Sequence, residues 1–264
     1  MLPVIKAHAY GNDFLYVETA DTGGRDLPAL AKALCARNTG IGADGLIVYR
    51  RTARGASMRL FNADGSYSEV SGNGVRGLGT VLLIVHRVEP ADGQLVVETD
   101  AGVKGLTLLS REGARATFRA AMGHPADIRE ETLDVVGEPL RVVALRVGNP
   151  QCVCLEASLD EGRMRRLGAA LEHHPAFPEG TNVEFAHVES SDRVNILIWE
   201  RGVGPTLASG TGACASAVAA AAFGRAGRDV RVASPGGVQR VEWRDDGLFL
   251  TGWADLVFVG KWAG

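Results

Sequence analysis

A chain of 264 residues, 46% apolar and 22% charged, is long enough to bury one large core or two medium ones. A net charge of −3 supplies neither a basic footprint for nucleic acid nor an acidic tail, so the expected partner is a small molecule, and a homodimer is compatible with it. The opening MLPVIKAHAYGNDF turns polar within a few residues and no run is long enough to span a bilayer, which predicts a cytoplasmic protein with no membrane partner.

In chain order, alternating or β-rich runs predict strands at LIVYR (46–50), ASMRLFN (56–62), QLVVETDAG (94–102), RATFRAAM (115–122) and LRVVALRVG (140–148). Further strands are expected at NVEFAHV (182–188), RVNILIWE (193–200), VRVAS (230–234) and LFLTGWADLVFVG (248–260). Helices are expected over Leu27–Cys35, Val75–His86, Leu159–Leu171 and Ala213–Gly224, separated by Gly-Asp, Pro-Gly-Gly and Asp-Gly punctuation. Of the four cysteines, Cys152 and Cys154 share a face of a strand-like run. No second ligand pair follows them, so they read as buried reduced thiols and not as a metal site. His173-His174 is likewise a lone pair beside Pro175.

The sequence repeats once. Ser71-Gly-Asn-Gly and Ser209-Gly-Thr-Gly lie 138 positions apart, as do Asn62 and Glu200, each of which ends a strand-like run. Asn12 and Asn149, both following a glycine, lie 137 apart. One short glycine motif recurs by chance; three pairs at nearly one offset, close to half the chain, argue for an internal duplication. The expectation is an α/β protein of two similar lobes, 1–121 and 122–264, with the last strand able to return to the first lobe and a small-molecule cleft between them. Each Ser-Gly-x-Gly immediately precedes a predicted helix, where N–H groups without intrahelical partners and the helix dipole make an anion site. Two such turns suit carbanion chemistry beside a carboxyl group.

The segments HAYGNDF, CARNTGIGADGLIV, FNADGS with SGNGVR, VGNPQCV, FPEGTNVEF, ERGVGPTLASGTGACA and SPGG resemble the diaminopimelate epimerase family through most of the chain. The resemblance implies two pseudo-symmetric lobes, each wrapping β-structure around a central helix. It also implies an isomerase that needs no pyridoxal phosphate or metal and inverts the α-carbon of 2,6-diaminopimelate. Carried over residue by residue, Asn12, Asn62, Asn149, Asn182 and Arg201, with Glu200 beside them, hold the distal amino-acid end of the substrate. A zwitterionic head does require a guanidinium for its carboxylate and amide or carboxylate oxygens for its ammonium. The backbone of Gly72, Asn73, Gly210 and Thr211 cradles the α-carboxylate.

At the two catalytic base positions, where the family keeps cysteines, this chain has Ser71 and Ser209. Gln151, Pro205 and Tyr67 depart from the family at neighbouring positions, and five changes together mark a natural branch. The chemistry must differ. A thiol of pKa about 8.5 ionises at pH 7 for roughly 2 kcal/mol, whereas an alkoxide costs on the order of 10 kcal/mol. Cys214 follows Ser209 by five residues, inside the predicted helix, and reads as an inert buried thiol. Three functions stay open: an epimerase, a one-base dehydratase or tautomerase, and a silent amino-acid-binding paralogue.

Overall fold

The computed structural model describes residues 1–264, which divide into two compact units: Met1–Ala120 with Gly252–Gly264, and Ala121–Thr251. The first unit holds β1 (Leu2–Ala9), β2 (Asn12–Glu18), α1 (Leu27–Cys35), β3 (Gly45–Thr52), β4 (Gly55–Asn62), β5 (Tyr67–Ser68) and α2 (Gly72–Ile84). It continues with β6 (Gln94–Thr99), β7 (Gly102–Glu112) and most of β8 (Arg115–Gly123). The second holds β9 (Ala126–Val135), β10 (Glu138–Val147), β11 (Asn149–Leu155), α3 (Glu161–Glu172), β12 (Asn182–Ser190), β13 (Arg193–Glu200) and β14 (Gly204–Thr206). It ends with α4 (Gly210–Phe223), β15 (Asp229–Ser234), β16 (Gly237–Arg244) and the start of β17 (Gly247–Trp262), whose later residues belong to the first unit.

In the first unit β1 pairs with β17 and β2, β2 runs parallel to β3, β3 pairs with β4, and β4 runs parallel to β6. The series continues through β7 and β8, and β8 pairs back onto β17, which closes a barrel. Closure leaves no long edge to be protected from other chains. The second unit repeats the order. β10 pairs with β9 and β11, β11 runs parallel to β12, β12 pairs with β13, β13 runs parallel to β15, and β16 then joins β17. Both parallel pairs fall at equivalent places, and each short strand, β5 or β14, flanks the fourth strand of its unit. One topology is used twice, as the shared offset of the sequence pairs predicts.

Each unit wraps its strands around a helix that is buried on nearly every side. Val75, Leu78, Val81, Leu82 and Leu83 of α2 pack against Phe14, Tyr16, Ile47 and Phe118. In α4 the run Ala213–Ala220 is entirely buried among β-strand valines, isoleucines and leucines. A helix apolar all round cannot lie on a surface, which forces α4 to the centre. The peripheral α1 and α3 are amphipathic and cover the barrel walls with Leu30 and Leu34, and with Met164 and Leu167. Both start with an aspartate whose side chain caps the first turn, Asp26 and Asp160. No helix is long and apolar enough to cross a membrane.

The helix α1 begins and ends where the sequence places it, whereas α2 and α4 each begin three residues earlier than Val75 and Ala213. The glycine-rich turns are therefore the first turns of the central helices, not linkers before them. Glycine at 77 is a packing requirement: a Cβ there would sit 2.0 Å from the Tyr16 hydroxyl, which donates to the Gly74 carbonyl at 3.0 Å. Gly→Ala inside a helix normally stabilises by up to about 1 kcal/mol, but overpacking costs about 1–3 kcal/mol, and the displaced hydroxyl loses its bond. Gly77→Ala is expected to destabilise by roughly 2 kcal/mol in urea unfolding, with Tyr16→Phe in the same chain recovering part of the loss. A stabilised Gly77→Ala protein would show that the helix does not pack this closely on β2.

Candidate active site

Ser71 is extended at φ −129°, ψ 125° and caps α2. Its hydroxyl accepts the Gly74 N–H at 3.2 Å and its carbonyl accepts the Val75 N–H at 2.8 Å. Ser209 does the same for α4 at φ −133°, ψ 131°, accepting from Gly212 N–H at 3.2 Å and Ala213 N–H at 3.1 Å. In each turn one lone pair of the hydroxyl oxygen accepts a helix donor, which leaves the second lone pair and the proton for a ligand. The first two helical residues, Gly72 and Asn73 or Gly210 and Thr211, carry N–H groups that have no acceptor within the helix. A Cβ on Gly72 would meet nothing within 4 Å, whereas on Gly74 it would lie 2.7 Å from Ile47 Cδ1. Gly72 thus leaves room for a ligand, and Gly74 lets the helix approach the barrel wall.

Behind the first turn lies a charged relay. Asn73 is buried, donates to Asn12 Oδ1 at 3.2 Å and accepts from the buried Arg76 guanidinium. Asn12 Nδ2 donates in turn to Asp44 Oδ2 at 2.8 Å. Asp44 and Asp13 exchange backbone contacts, with Asp13 N–H to Asp44 at 3.0 Å and Asp44 N–H to Asp13 at 3.1 Å. Arg37 binds Asp44 at 2.7 Å and Lys6 binds Asp13 at 2.7 Å. Burial pushes the Asp13 carboxyl up, but Lys6 and Arg37 outweigh it and hold it below the usual range. Asn62 ends β4 in a tight turn in which its Nδ2 donates to Ser66 Oγ at 2.9 Å. Tyr67, exposed, donates its hydroxyl to Asp100.

The second turn rests on neutral amides and acids instead. Gln151 and Glu184 are both fully buried. With its nitrogen toward Glu184, at 3.0 and 3.3 Å from the two carboxyl oxygens, the Gln151 carboxamide accepts from Thr211 Oγ1 and Asn182 Nδ2, each at 3.2 Å. Asn182 accepts the Arg201 N–H at 3.0 Å and also donates to the Pro150 carbonyl at 3.3 Å. Arg201 donates to the Glu179 carbonyl at 2.7 Å across Gly180, whose φ of +69° suits glycine and where a Cβ would lie 2.9 Å from Arg201 Cδ. Glu172 fixes the following turn by accepting from Trp199 Nε1 and Gly202 N–H, both at 2.7 Å. Pro205 is exposed on β14. Cys214 is fully buried in the core of its unit, and Cys152 and Cys154 are buried free thiols.

Each unit therefore gathers its own share of the expected residues: Asn12, Asn62, Ser71, Gly72 and Asn73 in one, Asn149, Asn182, Glu200, Arg201, Ser209, Gly210 and Thr211 in the other. The amides of Asn12 and Asn182 are engaged at both ends within the protein, so they act as braces for Asn73 and for the Arg201 backbone. Sequence reasoning missed the groups that hold these braces: Asp44, Asp13, Arg37, Glu172 and Glu184. The signal for Glu184 was an acid inside NVEF, a strand run with every residue buried.

The diaminopimelate epimerase family model matches residues 4–126 and 143–257. A diaminopimelate epimerase from Desulforudis audaxviator is 44% identical over 97% of this chain and 98% of its own length. The chain belongs to the diaminopimelate epimerase family. Solved structures carry the same fold at low identity. A predicted epimerase from Pseudomonas aeruginosa superimposes at a TM-score of 0.74 with 14% identity and full coverage of both chains. A probable proline racemase from Agrobacterium radiobacter does so at 0.73 with 16% identity, covering 100% of this chain and 93% of that one. Within the family's fold the two serine-capped helix starts occupy equivalent places of a duplicated architecture.

Burial, and next the charge of Glu200, push the Glu184 carboxyl well above the usual range. The sign of its effect on stability follows. Above an unfolded value of about 4.3 the unfolded chain releases the proton that the folded chain keeps, so stability falls by about 1.4 kcal/mol per pH unit until the folded value is reached. Glu184→Gln removes that loss. Its gain over the parent in thermal unfolding is expected to grow over the window from about pH 5 upward. Parallel curves over that window would show an ionised Glu184 in the fold.

Proposed function

We propose that this protein is a cofactor-independent amino-acid isomerase acting at the α-carbon of diaminopimelate or an amino acid of the same shape, with Ser71 and Ser209 at the positions that address the two faces of that carbon. The observation that carries the reading is the duplicated capped helix start, with its pair of N–H groups suited to a carboxylate oxygen that gains charge as the α-proton leaves. Gly72, Asn73, Gly210 and Thr211 bind the α-carboxylate. Arg201, with Glu200, Asn62 and Asn149, takes the distal zwitterion, while Asn12 and Asn182 brace the set.

Magnitudes decide how a serine serves here. A helix N-terminus stabilises an anion by about 0.3–2 kcal/mol, which leaves most of an alkoxide's cost of roughly 10 kcal/mol standing. A free alkoxide is therefore not the base. Each serine passes a proton instead, giving its own to an ionised group as it takes the α-proton. In the second unit Glu200 is the acid proposed to take that proton, since its influence reaches Glu184, which packs against this turn. One observation favours a one-sided reaction as the second reading. The Asp13 and Asp44 carboxylates behind the Ser71 turn are already bound to Lys6 and Arg37, which leaves Glu200 of the second unit as the acid proposed to receive a proton.

Incubation with one stereoisomer of diaminopimelate in deuterium oxide tests the reading. Deuterium at the α-carbon together with the inverted isomer is the expected result. Exchange without inversion would favour the one-sided reaction, and binding without exchange would remove catalysis altogether. Restoring thiols with Ser71→Cys and Ser209→Cys together is expected to speed exchange by at least about tenfold, because a thiolate near a helix N-terminus is far cheaper than an alkoxide. A double variant no faster than the parent would show that proton transfer at these serines is not limiting.

A further inference from the structure

Glu184 is a carboxyl group with no accessible surface, and no lysine or arginine contributes to its environment. It packs against the first turn of α4 so closely that a Cβ on Gly212 would fall 2.4 Å from Glu184 Oε1. The glycine at 212 is therefore there to admit this side chain. What meets the carboxyl is the Gln151 nitrogen, at 3.0 and 3.3 Å, and the Gln151 oxygen reaches Thr211 Oγ1 and Asn182 Nδ2 at 3.2 Å; it also lies 2.6 Å from Asn149 Oδ1, which pairs with it once the Asn149 amide turns its nitrogen inward. Gln151 and Asn182 are direct neighbours across the parallel β11–β12 pair, so the strand register itself brings the two amides together. The carboxyl thus sits at the buried root of a branch that ends on two different residues, half-buried Thr211 and buried Asn182.

We propose that Glu184 is a positioning residue whose carboxyl locks the Gln151 carboxamide, and through it holds Thr211 of the carboxylate cradle and Asn182 of the distal clamp in one fixed register. The inference rests on the reading of those residues given above, and it adds a coupling between the two ends of the substrate. A buried amide satisfied at both ends has one low-energy orientation, whereas one left without a partner would turn or admit water. The titratable groups around Glu184 are Glu200, whose charge raises it, and the buried Cys152 thiol. Burial and Glu200 keep the proton on, so Glu184 brings no negative charge beneath a cradle that must receive a carboxylate.

The test has a ligand-free arm and a ligand arm. In the free protein, the side-chain NH2 of Gln151, followed by nitrogen-15 NMR, is expected to be protected from solvent exchange. Protection should fall at least about tenfold in Glu184→Ala and persist in Glu184→Gln, which keeps a neutral acceptor of the same shape. In calorimetry with diaminopimelate, Glu184→Ala and Thr211→Val are each expected to weaken binding about tenfold, and the double variant to be little worse than either. Glu184→Gln, which keeps the neutral acceptor for Gln151, should bind within about threefold of the parent. If Glu184→Ala does not fold, Gln151→Met takes its place in the cycle with the same expectation. Additive losses, or Gln151 protection unchanged in Glu184→Ala, would overturn the inference. A parent protein that does not bind diaminopimelate would instead overturn the functional reading, and the NH2 exchange would still decide the role of Glu184.

Discussion

The hydrogen bond from the third helical N–H to a serine hydroxyl, made once at Ser71 and once at Ser209, is the constraint around which each unit is built. It ends the strand-to-helix connection in extended backbone and aligns the first turn of a helix that cannot shift, because that helix is buried on nearly every side. It also takes up one acceptor site of the hydroxyl and leaves the other lone pair and the proton to be used elsewhere. A cap of this kind stabilises its helix by about 1 kcal/mol, so the same atom serves the fold and the candidate chemistry.

The duplicated frame supports its two turns by different physics. In the first unit, Lys6, Asp13, Arg37 and Asp44 form a partly exposed ionic relay that fixes Asn12 and, through it, Asn73. In the second, Gln151 and Glu184 do the equivalent work without exposure, where burial favours the neutral carboxyl. An ionic relay at a surface adapts to salt and pH, whereas a neutral buried one is rigid and depends on complete satisfaction of its members. Duplication supplied the topology, and the supporting shells diverged.

Much of this was legible in the residues. The offset shared by three sequence pairs gave the repeated topology, and the Ala-rich run after Ser209 gave a fully buried helix. Strand β9 was not seen, because ADIREETLDV carries four acids and reads as a solvated segment. It is held by pairing with β10, including the Arg141–Glu130 ion pair. Strand β7 was obscured by Gly102 and Gly105, and β1 by an interrupted alternation. The candidate ligand groups were visible as motif residues, but their braces were not. Nothing in NVEF announces that Glu184 meets Gln151 of the neighbouring strand, since that contact exists only once β11 and β12 lie side by side. The same holds for Asp44, whose partners come from β2 and from the loop after α1.

Serine at both base positions turns the question from which groups bind to which group takes the proton. For the first part each unit supplies one serine-capped turn with its own internal braces. The central proposal is that the leading N–H groups of α2 and those of α4 each receive carboxylate oxygen. Titration with diaminopimelate while following backbone amide resonances tests it most directly. The account predicts that Gly72, Asn73, Gly210 and Thr211 shift downfield together along a single binding curve. Shifts confined to one of the two turns, or saturation with all four amides unmoved, would contradict it.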